Sequence, residues 1–330
     1  MRQEKQQKKK PHPYKYLQYK GCFGRSHNSD RTSRGDQVNL GRSIGIYNES
    51  VFAEVSDAFN EVLNNPDLTL YMRKVNMITI NGGLLLKAFF DEFCLRHGRK
   101  PYIKGPKDKK MKAVLKYLGI KNYSDIKVEH YPDIMCWQVL SWDHTHEDIE
   151  FGKLLDTDII PKCWKGSHAI SEHSSNIATS VAETLYNCKE HAYTGEKGKS
   201  DFKQWYLGVG EYPDTRKFSF CIYDKGVGIK TRLKSNPTGW FDGLVDNIST
   251  DSSMIELATK GKRVVTEDGR GQGLKNAIEL LERNDGWIDI FSDCGFFSSY
   301  DKNAGKDRKP RLEGTMVSFS FPIEYSKDSE

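Results

Sequence analysis

Three groups of residues in this 330-residue chain have types and spacings that could do chemistry. In "ETLYNCKEHAY", Glu183, Asn187 and His191 recur every four residues, while Ile177, Val181, Leu185, Cys188 and Ala192 recur at steps of three and four. The two sets are offset by two residues, about 200° of helix, so a helix predicted over 168–193 carries an apolar stripe and a polar line on opposite faces. Such a line is either a solvated face or one wall of a site. "RKFSFCIYD" alternates like a strand and delivers Asp224 at its end, with Gly226 and Gly228 following. A carboxylate there can accept a hydrogen bond from an exocyclic amine while glycines leave room for a flat base, although the same residues would serve an ordinary turn. In "EDGRGQGLKNAIELLERNDG", Gly269, Gly271 and Gly273 lead into an amphipathic helix with Ala277, Leu280 and Leu281 inward. Backbone N–H groups at a glycine-rich helix start bind phosphate oxygens. A Rossmann turn fits poorly, because these glycines follow a charged loop rather than a strand, and "GVGIKT" lacks the Gly-Lys-Ser/Thr of a P-loop.

The elements that must position these groups can be read around them. "GWIDIFS" and "EGTMVSFSFP" are predicted strands of an antiparallel sheet, separated by a turn around "DKNAGKD". Upstream, residues 41–135 alternate strand and helix. "VNMITI" is a short strand, and "GGLLLKAFFDEFCLRHG" is a helix with Leu85, Phe89 and Phe93 on one stripe and Gly98 as its C-cap. "PYIKG" is a further strand, and "KDKKMKAVLKYLG" a basic amphipathic helix closed by Gly119. This is a small α/β layer. Residues 140–165 are rich in Asp, His, Trp and Lys and read as a connector closed by Pro161. Its "DHTHED" has two metal-ligating histidines but no second cluster of ligands, so it reads as a polar linker.

Length points to two domains, and 37% hydrophobic residues with 12% aromatics suffice for real cores. No apolar run approaches the roughly twenty residues of a membrane helix, and "MRQEKQQKKKPHP" lacks a signal peptide's apolar stretch, so the expected location is cytoplasmic. Seven scattered cysteines without a C-x-x-C pair fit reduced, mostly buried thiols. Residues 1–40 carry ten Lys/Arg against three Asp/Glu, which predicts a solvated basic tail that could meet nucleic acid or another acidic partner.

In this order the pieces resemble the GHKL superfamily, the Bergerat-fold ATPases that include histidine kinases, anti-sigma-factor kinases, DNA gyrase, mismatch-repair ATPases and heat-shock chaperones. "ETLYNCKEHAY" resembles the N box, "DKGVGI" the first glycine box, "GRGQGL" the second, and "GTMVSFSFP" the terminal strand beginning Gly-Thr. The resemblance covers residues 166–323 and implies ATP and Mg²⁺ as cofactors. It gives Asn187 the Mg²⁺, Glu183 the attacking water or hydroxyl, and Asp224 the adenine amine with Gly226 and Gly228 beneath the base. It gives Gly269, Gly271 and Gly273 the phosphates, Thr315 a place near the adenine, and residues 230–268 the part of an ATP lid. Residues 41–135 resemble a STAS domain, the α/β module of anti-sigma-factor antagonists and sulfate transporters. The phosphorylated Ser of those antagonists is absent here, leaving Thr79 as the only hydroxyl close by.

The implied fold class is α/β, a C-terminal two-layer Bergerat sandwich over 166–325 preceded by a STAS-like domain over 41–140 and a connector over 141–165. A histidine kinase is disfavoured, because the upstream domain is α/β rather than a helical hairpin, and His168 and His173 fall on the N-box helix itself. Two functions remain. One is an ATPase or Ser/Thr kinase driving a regulatory switch, favoured by Glu183; the other is a nucleotide-gated interaction module without catalysis. The expected partners are another protein or a second copy of the chain, with nucleic acid reached through the basic tail and no membrane.

Overall fold

In the computed structural model the described residues are 37–127, 138–143, 180–181, 183–185, 187–188, 192–193, 202–212, 217–235, 248, 250–260, 273–283, 285–300 and 305–322. All belong to one compact unit, Ser33–Glu330. The chain is a mixed α/β protein, and none of its described helices is long and apolar enough to cross a membrane.

The N-terminal half builds two small parallel sheets. Strands β1 (Gln37–Asn39), β3 (Thr69–Tyr71) and β5 (Tyr102–Lys104) form one, in the order β1-β3-β5, and β2 (Ser43–Ile44) pairs with β4 (Met77–Ile78) in the other. Helix α1 (Glu49–Asn64) links β1 and β2 to β3, and α2 (Ile80–His97) links β4 to β5, as parallel pairing requires. Strand β1 lies inside the stretch expected to be tail. Val38 and Leu40 are buried, and that burial fixes the strand. Helix α2 starts where Thr79 Oγ1 accepts the Gly82 N–H at 3.2 Å and ends at Gly98, φ 63°, as its sequence predicts. Helix α3 (Lys109–Tyr117) is capped by Asp108, whose carboxylate accepts the Met111 N–H at 2.9 Å, and Gly119 follows at φ 69°.

The C-terminal half builds a five-stranded antiparallel sheet in the order β6-β7-β8-β10-β9, from β6 (Gln138–Asp143), β7 (Gln204–Tyr212), β8 (Lys217–Asp224), β9 (Trp287–Ser298) and β10 (Lys306–Pro322). The expected connector thus begins as a strand: β6 pairs along its whole length with β7. One face of this sheet is apolar. The rungs Leu207–Ile222–Val317–Ile290 and Val209–Phe220–Phe319–Ile288 pack with Val181, Leu185 and Cys188 of the helical residues within 180–188, and with Ala277 and Leu281 of α6 (Gly273–Arg283). The other face meets the N-terminal helices. Gly208 lies against Ile80 and Leu84 of α2, so closely that a Cβ there would come within 3.0 Å of both side chains.

Candidate functional site

Asp224 is the last residue of β8, and its cross-strand neighbours are Trp205 on β7 and Thr315 on β10. Thr315 in turn stands opposite Ser292 on β9. The face that is apolar on β7, β8, β10 and β9 one and two rungs earlier therefore turns polar at its final rung beyond Trp205, with a carboxylate and two hydroxyls in line. The hydroxyls of Thr315 and Ser292 are 3.2 Å apart, and Ser292 Oγ also accepts the Ile229 N–H at 2.9 Å, fixing the start of α4 (Ile229–Ser235). Thr315 reaches this register through Gly314, whose φ of 86° lies beside a register shift in β10 and whose Cα faces the Asp224 carbonyl too closely for any Cβ.

The charge of Asp224 is sparsely provided for. The residue is only 4% exposed. The Gly226 N–H donates to Oδ1 at 2.8 Å, and the buried Cys188 thiol approaches Oδ2 at 3.5 Å. Burial outweighs these donors and that of the Thr315 backbone, and pushes the carboxyl up to about 6. The same surroundings push the Cys188 thiol well above its usual range, so Cys188 stays a neutral donor.

Both glycines of the turn are required by the chain's own packing. A Cβ on Gly226 would lie 2.2 Å from the Ala192 carbonyl oxygen, which accepts the Val227 N–H at 2.7 Å. Gly228, at φ 79°, would collide with Asp293 Oδ2 at 2.5 Å. The glycine spacing is thus accounted for by the turn at residue 192 and by Asp293, not by open room. The Ala192 contact ties the turn at residues 192–193 to the Asp224 turn.

The two faces of that segment lie as the sequence predicts. Val181, Leu185, Cys188 and Ala192 are buried, Glu183 is half-buried and Asn187 exposed. Burial raises the Glu183 carboxyl above its ordinary value. The structure brings Asp224, Gly226, Gly228 and Thr315 together at the sheet end, and it leaves Glu183 and Asn187 on the outer line of the helical residues, opposite the buried stripe that carries Cys188 to Asp224. Gly273 is the first residue of α6. Gly269, Gly271, Ile177, His191, His168 and His173 lie outside the described residues, as do the histidines of "DHTHED" and the basic tail before Gln37. Among the described residues no group of three His, Cys, Asp or Glu could hold a metal ion.

Of the expected lid, the described parts are helical rather than a loop. Helix α5 (Asp251–Thr259) buries Met254 and Ile255, which anchors it. Lys230 Nζ lies 2.5 Å from Asp251 Oδ1, Asp251 Oδ2 accepts the Cys294 N–H at 3.0 Å, and Asp307 accepts the N–H of Ser252 at 2.8 Å. Thr79, the one hydroxyl near the expected phosphorylation position, is engaged as the α2 cap and donates to the Ile44 carbonyl at 3.2 Å.

Two features escape the sequence. Ser292 closes "IDIFS" just as Asp224 closes "FCIYD", so the alternation of β9 could have located it. Lys225, next to Asp224, pairs with Glu92 of α2 and, at 2.8 Å, with Glu313 Oε2. Glu92 is buried and also pairs with Arg96. No local signal joins Lys225 to a carboxylate 133 residues earlier. No protein-family model matches the chain, and no curated protein matches it.

Proposed function

We propose that the corner at Asp224 is the adenine end of an ATP site of GHKL type, that the antiparallel sheet with its covering helices is a Bergerat sandwich, and that the parallel layer is STAS-like. The observation that carries this reading is the polar rung Asp224–Thr315–Ser292 closing an otherwise apolar sheet face beneath the N-box segment. A buried carboxylate with one good donor, at 2.8 Å, has lone pairs to spare, and an exocyclic amine is a donor it lacks. The residues therefore fit a nucleotide at its base. Gly273, at the start of α6, suits the phosphates, and the exposed Asn187 amide can offer Mg²⁺ a hard oxygen ligand.

ATP supplies the γ-phosphoryl group. Glu183 accepts the proton of the attacking water or hydroxyl, and its half-buried setting raises its proton affinity, the direction a general base needs. Asp224 and Thr315 only bind and orient. The reaction served is ATP hydrolysis, or phosphoryl transfer to a Ser/Thr of a partner, in support of a regulatory switch. The bridge from Lys225 to Glu92 favours a coupled second reading, in which nucleotide occupancy is relayed to the N-terminal layer as a binding signal. The test is a calorimetric ATP titration with and without Mg²⁺: Asn187→Ala should abolish the Mg²⁺-dependent part of the affinity and leave the thermal transition unchanged. An unaltered metal dependence rejects the proposed ligand.

A further inference from the structure

We infer that the open face and outer edge of the parallel layer, around Tyr102 on β5 and the lysines leading into α3, bind single-stranded nucleic acid. Residues 99–121 hold nine Lys/Arg and a single acidic residue, Asp108, inside a chain whose residues after 40 are net negative overall. Asp108 is already engaged as the α3 N-cap, so it does not offset the lysines around it.

Elsewhere some lysines are matched with carboxylates, Lys87 with Asp91, Lys230 with Asp251, Lys260 with Glu256 and Lys275 with Glu279, while exposed Lys74, Lys234, Lys306 and Lys309 are single among the described residues; within the segment Arg99 pairs with the exposed Asp67. Among the described residues, Lys100, Lys104, Lys107, Lys109 and Lys112 form no such pair, and the first four are exposed. A solvated face that served only solubility would interleave the two signs, because crowding like charges costs folding free energy.

These cations sit beside a flat surface. β5 is an edge of the sheet β1-β3-β5, and Tyr102 and Lys104 point to the same side while Ile103 points to the other. Tyr102 is 56% exposed, with the Arg99 guanidinium 4.7 Å from its ring centroid. Parallel register places half-buried Thr69 and Tyr71 of β3 next to it on the same face. Around the edge, Lys121 Nζ donates to the Ile103 carbonyl at 2.8 Å, and Lys112 and Lys121 both lie over the Tyr123 ring, at 5.6 and 5.8 Å. The surface is therefore one neighbourhood of cations and aromatics rather than charges scattered along a sequence.

Charge alone would suit any polyanion. An exposed aromatic on a sheet edge, with unpaired lysines in the same segment, suits unstacked bases on a tracked phosphate backbone. A duplex offers no free base faces to it. The residues of this site are other than those of the basic segment before Gln37, and the site does not rest on the nucleotide reading.

The test is fluorescence anisotropy with the full chain and labelled 20-nucleotide single-stranded DNA and RNA, set beside the matching duplex, poly-glutamate and phosphatidylserine vesicles. Single strands should bind tightest, and the stronger of DNA and RNA identifies the natural source. Lys100→Gln, Lys104→Gln, Lys107→Gln and Lys109→Gln combined should weaken binding at least tenfold at moderate salt. They should also lower the slope of log affinity against log salt by about 3, at about 0.7 per lost phosphate contact. Tyr102→Ala should cost at least about fivefold on single strands and little on duplex. All five positions are exposed, so the variants should fold, which circular dichroism checks. An unchanged salt slope in the lysine variant, meaning that binding lies elsewhere in the chain, overturns the inference. So does equal or tighter binding of duplex, poly-glutamate or vesicles, or a Tyr102→Ala variant that binds single strands like wild type.

Discussion

The two faces of the five-stranded sheet are built from the same strands and differ in almost everything else. The face under α6 and the helical residues within 180–188 is Leu, Val, Ile and Phe at its centre up to the last rung, where Asp224, Thr315 and Ser292 appear. The face toward α1 and α2 is polar throughout its middle. Cys221 stands between Gly208 and Ser318, and Ser219 between Gly210 and Ser320, the two serine hydroxyls 3.0 Å apart. Tyr206 donates to Asp91 of α2 at 3.1 Å, Tyr47 donates to Asp289 at 3.0 Å, and Lys225 joins Glu92. On the polar face these contacts tie the sheet to the N-terminal helices and hold two layers in one arrangement. On the apolar face one buried charge is left short of donors, at a corner where a ligand could supply them. A polar interior can thus serve as a joint when satisfied and as a binding site when not.

The largest expected effect is at Glu183, the proposed base on the outer line of the helical residues within 180–188. Glu183→Gln keeps size and hydrogen bonding but removes the base, so ATP turnover should fall by about 10²–10⁴ while ATP affinity stays near wild type. A phosphate-release assay beside a binding titration checks this. Full turnover in the variant removes Glu183 from the chemistry, and the absence of turnover in wild type with its partners present leaves only the nucleotide-gated binder.

The joint is tested next. Lys225→Met leaves the buried Glu92 carboxylate with Arg96 alone, half-exposed, and breaking the buried pair from one side should cost up to about 3 kcal/mol in urea denaturation. Lys275→Met, in a pair at 3.7 Å with both partners exposed, is the control and should cost at most a few tenths. Equal losses in the two variants would erase the distinction between a joint and a surface pair.

A smaller effect belongs to Asp224 itself. Its folded carboxyl titrates near 6, above the ordinary 3.8, so the folded state holds the proton more tightly than the unfolded one. Its contribution to stability is therefore full below about 4 and is lost as pH rises to about 6. Asp224→Asn has no charge to bury. Relative to wild type, the apo variant should gain stability across that window, by up to about 3 kcal/mol at pH 7. A difference that does not vary with pH contradicts the burial cost assigned to Asp224.

Much of this was legible in the sequence. The cap at Gly98, the alternation that ends in Asp224 and the opposed faces of the helical segment within 180–188 follow from local periodicity and turn chemistry, and the structure places them as read; the N-cap at Thr79 was not read. What escaped depends on contacts between distant segments. Strand β6 gains its place by pairing with β7 some sixty residues later, in a stretch whose Asp and His content reads as linker. Helix α5 is held by Asp307 and Cys294, which no local pattern links to it. Gly226 and Gly228 were legible as glycines but not in their reason, since Ala192 and Asp293 come near them only in the folded chain.

The central claim is that Asp224 receives the adenine of ATP, and isothermal calorimetry with Mg²⁺·ATP on wild type and Asp224→Asn tests it most directly. Because the variant is expected to fold at least as well as wild type at neutral pH, any loss of binding belongs to the site. Wild type should bind, and the variant should bind about 1–3 kcal/mol more weakly, a drop of roughly 5- to 150-fold. Equal affinities for the two proteins, or a wild type that does not bind ATP, would contradict the account.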